Sequence, residues 1–364
     1  MAEQLSFEAY QSRRHILGLD GLRALSILGV LLHHTRGKPF YVLHGYRGVW
    51  IFFVISGFLI TTLALREEAR AGYLDIKAFM IRRVFRILPL YYLALLLYIG
   101  WGFGLGMEAH LDRFQEHMLN FVLYTPEIPI FRYEFAIPMS MTWSLGIEEK
   151  FYLVWPLLSF GLLAKSRYRI WVTLALIACG MVLMLNAGWL AQMWGSYVDI
   201  LVGCLLAQLL HNKATYDRIS FLGRTEVAWA IMAVLLIATT RNLLGNQLGE
   251  RVFTLVSAAA VGAIVTNKRG PADVASLPWI VKMGTWSYAI YLLHGIAVGI
   301  SNHVLPPGRF FDVASLGVML LITLPVCWLV HEYFEQPLIR LGRRLSARPS
   351  PAVQPTAPAS TGDA

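Results

Sequence analysis

Residues 17–35 read LGLDGLRALSILGVLLHHT. At ~1.5 Å rise per residue this apolar run is as long as the ~30 Å hydrocarbon layer of a bilayer is thick, so it predicts a membrane-crossing helix. Asp20, Arg23, His33 and His34 interrupt it. Ionisable groups are costly in lipid and persist where they pair, line a cavity or do chemistry. The step from Arg23 to His34, at ~100° per residue, returns to within some 20° of the same face, roughly 16 Å along the axis. His33 points about 80° away from Arg23, so an imidazole that works with that guanidinium is His34. Asp20 lies one helical turn before Arg23 and is placed to hold it. Two readings follow. In one, Arg23 snorkels to headgroups and the His pair marks the helix end. In the other, a cation at one end holds a phosphate-bearing ligand, and an imidazole at the other end acts on what that ligand delivers.

The same pattern recurs along the chain. Of 364 residues 57% are hydrophobic and only 15% charged, too little charge to clothe a soluble domain. Runs at 17–35, 48–65, 87–105, 142–163, 168–187, 191–210, 225–240, 252–267, 285–302 and 313–332 predict ten spans. The expected fold is therefore an all-α, polytopic transmembrane bundle. Residues 1–16 precede it, 17–344 form one transmembrane domain, and 345–364, rich in Pro, Ala, Ser and Thr, read as a disordered tail. With the N-terminus in the cytoplasm, 21 of the 31 Lys and Arg residues fall inside and eight outside, with Arg23 and Lys150 within spans. That asymmetry predicts both termini in the cytoplasm. It also accounts for the net charge of +9 through headgroup contact, with no nucleic-acid partner expected. Cys179, Cys204 and Cys327 lie in apolar runs without paired spacing, which excludes a disulfide or thiol reading. The polar stretch Met1–Arg14 is unlike a cleavable signal peptide. In the external connection 106–141, residues 111–123 have the spacing of a surface helix, which either roofs a site or simply lies at the interface.

Other intramembrane polar residues join the first pair. MTWSLGIEEKFYLVWP (141–156) places Glu148 near the outer end of its span, level with His34. A carboxylate there would fix the imidazole's tautomer and raise its basicity, as a general base requires. Glu149 and Lys150 either pair with other spans or belong to the site, and Trp143 reads as a belt residue or a weak acceptor contact. FMIRRVFRILPLYYL (79–93) gathers Arg82, Arg83 and Arg86 in a predicted inner loop, with Pro89 releasing the next helix. They are either stop-transfer charges or a fork of guanidiniums for phosphates. Asp199 reads as a structural pair or an acceptor contact, His294 as a core histidine or a site residue, and Glu335 as a partner for arginines. Gly48, Ser56 and Gly57 would let helices approach closely. Metal-site, Walker and dinucleotide spacings do not occur, so no metal is expected. A transporter or flippase, using the same buried charges for anion or proton passage, is the competing class.

Seven blocks in order resemble the acyltransferase-3 family of membrane O-acyltransferases. They are LDGLRALSILGVLLHH (19–34), GYRGVWIFFVISGFLIT (45–61), RRVFRILPLYYL (82–93), TWSLGIEEKFYLVWP (142–156), YVDILVGCLLA (197–207), WSYAIYLLHG (286–295) and YFEQPLIR (333–340). The resemblance implies transfer of an acyl group, usually acetyl, from cytoplasmic acyl-coenzyme A to a hydroxyl of a saccharide, lipid-linked glycan or natural product, at a bacterial cytoplasmic membrane. On it, Arg23 and His34 match the family's pair on the first helix. Arg83 and Arg86 match its RxxR pair, and Glu148 matches the carboxylate of WSLxxE. Gly146 and Lys150 depart from the Ser and Gln common there. Relatives that carry an added hydrolase-like domain imply that a second transfer step here would need another protein.

Reporter domains fused at residue 1 and after residue 364 should both register as cytoplasmic. A membrane-impermeant thiol reagent should label a cysteine placed at Arg241 from outside the cell; labelling only after lysis would overturn the orientation.

Overall fold

The computed structural model describes residues 4–13, 15–35, 39–104, 111–133, 137–186, 188, 190–240, 247–306 and 308–347. The expected disordered tail falls almost wholly outside them. Helices form in all ten expected segments: α1 (Leu17–His34), α2 (Gly48–Ala71), α3 (Ile76–Ile99), α4 (Trp143–Pro156), α5 (Arg169–Asn186), α6 (Leu190–His211), α7 (Thr225–Thr240), α8 (Gln247–Thr266), α9 (Ser287–Val304) and α10 (Arg309–Val330). Among the described residues β structure amounts to a single bridge between Gln4 and Asn267.

By length and apolar composition alone, five segments are able to cross a membrane: Tyr41–Ala71, Ile76–Phe103, Leu190–His211, Gly249–Thr266 and Phe310–Leu345. A sixth is the pair Lys213–Gly223 and Thr225–Thr240, bent by 73°. The chain is thus a helical protein with several membrane-spanning helices. α1 and α4 fall short by this measure because of the same polar residues that make them interesting, Asp20, Arg23 and the His pair in one and Glu148–Lys150 in the other.

α2 lies innermost. Its apolar window is 72% buried in protein, against 22% for that of α10, which therefore presents most of its surface outward. Phe53, Phe58 and Ile60 on α2 are fully buried. Its tight partner is α6: a Cβ on Gly57 would strike the carbonyl of Ile200, and one on Gly203 the carbonyl of Val54. Small residues let two backbones approach where lipid supplies no hydrophobic drive. α2 ends at Gly72, whose φ of 81° suits a residue without a Cβ, its N–H reaching Glu68 O at 2.8 Å. Glu68 in turn receives two hydrogen bonds from Arg169 at the start of α5, at 2.9 and 3.0 Å, and Arg169 Nε binds Ser159 O at 2.9 Å. Both residues are buried, so each satisfies a charge the other could not leave alone.

Two expectations need correction. The arginines at 82, 83 and 86 lie inside α3, not in a loop: Asp75 caps the helix by accepting from Ala78 N at 2.9 Å, and the helix runs on through Pro89. A neighbouring bundle and local adjustment tolerate such a proline where an isolated helix would break. Similarly, α10 continues through a wider turn, His331–Glu335, into Gln336–Leu345. Glu335 accepts from His331 Nδ1 at 2.8 Å, one turn before it on that segment, and its charge also reaches Arg86, in line with the arginine partner expected. Residues 111–123 form two short helices, Leu111–Glu116 and Met118–Val122. Tyr91 and Tyr92 of α3 donate to their carbonyls at Phe121 and Val122.

Glu68→Ala strands the Arg169 guanidinium in the bundle and should lower stability by about 3–5 kcal/mol, read as thermal unfolding in detergent. Glu68→Leu combined with Arg169→Met, which removes both charges, should recover most of it.

Candidate active site

α1 carries Arg23 and His34 as the spacing predicts. Arg23 donates to Asp20 Oδ1 at 3.4 Å, and Asp20 Oδ2 also lies 3.0 Å from His15 Nε2. Arg82 is held by Glu67 at 3.0 Å, which makes it part of the frame. Arg83 lies over the rings of Phe79 and Tyr152, at 5.5 and 4.8 Å from their centroids. Arg23, Arg83 and Arg86, from two helices, form the wall shared by two cavities. One, of about 480 Å³, also holds Asp20, Glu67, Arg70, Arg82 and Arg343. The other is a neck of about 100 Å³ lined further on by Ser56, Glu148, Glu149 and Tyr152.

Glu148 accepts from Tyr152 OH at 3.1 Å, and the same phenol is hydrogen-bonded to Ser56. Beyond the neck, past Val49 and Tyr291, lies a third cavity of about 700 Å³. His33 and His34 line it, with Tyr46, Trp50, Phe131 and Trp143 as an aromatic wall. None of the described residues 111–123 lines it. His34 Nδ1 donates to Val30 O at 2.8 Å. That fixes the tautomer, since a carbonyl can only accept, and it makes Nε2 the basic nitrogen. The tautomer expected to be set by Glu148 is therefore set by the helix's own backbone, one turn back. Glu148 belongs to the neck, among the arginines.

The weaker candidates separate. His294 is buried, donates from Nδ1 to Tyr291 O at 2.8 Å, and brings its ring centroid to 4.9 Å from that of His34. Trp143 packs on Phe53 and Phe131 and faces the large cavity, which is not the placement of a lipid-facing belt residue. Asp199 is fully buried and accepts from Arg251 at 2.5 Å and Thr254 at 2.6 Å, which is the structural pairing. Its partner Arg251 lines the large cavity. The apolar run begins only at residue 252, so by sequence Arg251 reads as a loop charge, whereas the helix already begins at Gln247.

The two unusual residues around Glu148 have one explanation. Glu127, 2% exposed in the short helix Glu127–Tyr133, lies 2.6 Å from Lys150 Nζ. Its carboxylate occupies the space that a Cβ on residue 146 would need. Gly146 makes room for the acid, and Lys150 neutralises it.

Comparison with known proteins points the same way. A family model described as an acyltransferase domain matches residues 16–332. A Staphylococcus aureus (strain COL) protein whose name proposes an O-acetyltransferase is 27% identical over 377 residues, covering 96% of this chain and 62% of that protein. Bacillus subtilis (strain 168) YrhL, whose name proposes a peptidoglycan O-acetyltransferase, is 29% identical, covering 93% of this chain and 57% of its own length. The O-acetyltransferase OatA of Staphylococcus aureus is 26% identical, covering 92% and 59%. The chain thus spans about three-fifths of the length of the curated relatives it matches. No solved structure matches it significantly.

Lys150→Gln leaves the Glu127 carboxylate without its cation and should cost several degrees of thermal stability. Adding Glu127→Gln should restore it, because a neutral amide no longer requires a countercharge.

Proposed function

Because the chain belongs to this acyltransferase family, we propose that it moves an acetyl group from acetyl-coenzyme A, bound on the cytoplasmic side, to a hydroxyl of a saccharide or glycolipid on the other side. Membership of the family is the premise; the activity, the donor, the direction and the acceptor are the proposal. The observation that carries it is the shared arginine wall. Arg23, Arg83 and Arg86 line both the 480 Å³ cavity and the neck, and the helix that bears Arg23 ends at His34 in the cavity beyond.

In this reading ten helices cross a bacterial cytoplasmic membrane with both termini inside. The donor's phosphates rest on the guanidiniums, which suit them as planar, bidentate donors. The pantetheine arm passes through the neck, and the thioester reaches the level of His34, roughly 16 Å from Arg23 along the helix. The acceptor hydroxyl enters the large cavity. His34 Nε2 takes its proton as the oxygen attacks the thioester carbonyl carbon; the C–S bond breaks, and the imidazolium returns a proton to the thiolate. Glu148 acts as a positioning residue: through Tyr152 and its place beside Arg83 it holds the neck in register. His294, packed against His34, keeps that ring from turning. The names of YrhL and OatA favour a cell-wall glycan as the acceptor class.

The purified protein in lipid nanodiscs, given radiolabelled acetyl-coenzyme A and envelope glycans of its host, should transfer label and release free thiol. His34→Ala should lower turnover by about 10²–10⁴-fold. Arg83→Ala should raise the KM for the donor at least tenfold with a smaller effect on kcat. Wild-type turnover in His34→Ala would overturn the base assignment, and substrate flux without thioester loss would favour a transporter.

A further inference from the structure

The large cavity has two unlike walls. The aromatic wall, with Tyr46 and Trp50 edge to face at 5.0 Å between centroids, is suited to the C–H faces of a sugar ring. The rest of the lining includes Gln192 from α6 and Glu250 and Arg251 from α8. Arg251 is 7% exposed, and its geometry is fixed: one terminal nitrogen donates to Gly195 O at 2.9 Å and to Asp199 at 2.5 Å. The other lies 3.6 Å from Glu250, too long for a hydrogen bond, and Nε has no partner among the described residues. Nε is itself closed off from the cavity, so the donor left for a ligand is the terminal nitrogen beside Glu250, which no hydrogen bond consumes.

The charge balance says what arrives. Arg251 sits between fully buried Asp199 and Glu250, 3.6 Å away, so one cation meets two carboxylates and the three residues together carry one net negative charge. A carboxylate, phosphate or sulfate on the ligand would face Glu250 and gain little from a guanidinium already paired. A neutral polyol gains from both, donating to Glu250 and Gln192 and accepting from Arg251. A cavity of about 700 Å³ is in the range of ~300–1,000 Å³ that holds small ligands.

We propose that Gln192, Glu250 and Arg251 form the polar half of an acceptor subsite that selects an uncharged saccharide unit over an anionic one. This rests on the acyl-transfer reading only for the word acceptor; binding and selectivity can be measured without any donor.

The test uses the full chain in nanodiscs with cellobiose, maltose and N,N′-diacetylchitobiose, each beside its 6-uronic counterpart, and follows quenching of tryptophan fluorescence. At least one neutral disaccharide should bind saturably, and its uronate at least tenfold more weakly. Glu250→Gln should shrink that ratio toward one. Arg251→Lys, which keeps a cation for Asp199 but loses the planar donors, should weaken neutral binding at least tenfold. The proposal is overturned if no neutral sugar binds, if a uronate binds as well as its neutral partner, or if both variants leave affinity and ratio unchanged. Loss of label transfer in His34→Ala alongside any of these results would leave the acyl-transfer reading standing and this one fallen.

Discussion

A charge set inside an apolar bundle must meet a countercharge, a backbone carbonyl or a cavity, and this demand sorts nearly every ionisable side chain in the molecule. Glu68 and Arg169 meet each other, Lys150 meets Glu127, and Asp199 meets Arg251. These pairs tie helices together and leave no charge for chemistry, apart from the donors of Arg251 that its pairing does not consume. Arg23, Arg83, Arg86 and Glu148 are arranged differently, their side chains lining cavities more than they bond to one another. The frame and the site are thus made from the same residue types and are told apart by what faces them.

Much of this was legible from one face of one helix. The turn arithmetic that puts Arg23 and His34 in line needs only helical geometry, and α1 obeys it because nothing within it breaks the period. The positions of the ten segments were legible for the same reason: apolar length is a local property. What escaped was what depends on a partner far along the chain. Glu148 was expected level with His34, yet it lines the neck with Arg23, Arg83 and Arg86 and accepts from Tyr152, four residues on. Arg251 looked like a loop charge because its partner Asp199 is 52 residues away and the helix begins earlier than its hydrophobicity does. Gly146 and Lys150 looked like two departures from a pattern, and only Glu127, outside that pattern, makes them one.

Prolines tell the same story from the backbone side. Pro89 suggested a boundary, yet the helix continues through it, and helix also continues at Pro337 after a widened turn, neighbouring elements absorbing the missing hydrogen bonds. The reward for α3 is rigidity: three arginines that a loop would have scattered stand on a single rod.

The neck of about 100 Å³ between two much larger cavities has an electrical meaning as well as a steric one. A membrane across which an ion gradient is stored cannot tolerate a continuous water column, and nearly all of the driving force falls across whatever segment is least hydrated. A waist packed with Tyr152, Ser56 and Glu148 and bordered by guanidiniums is such a segment. On the proposed reading it would let a slender, uncharged chain slip through while hydrated cations stay behind, so that group transfer would leave the cell's battery charged.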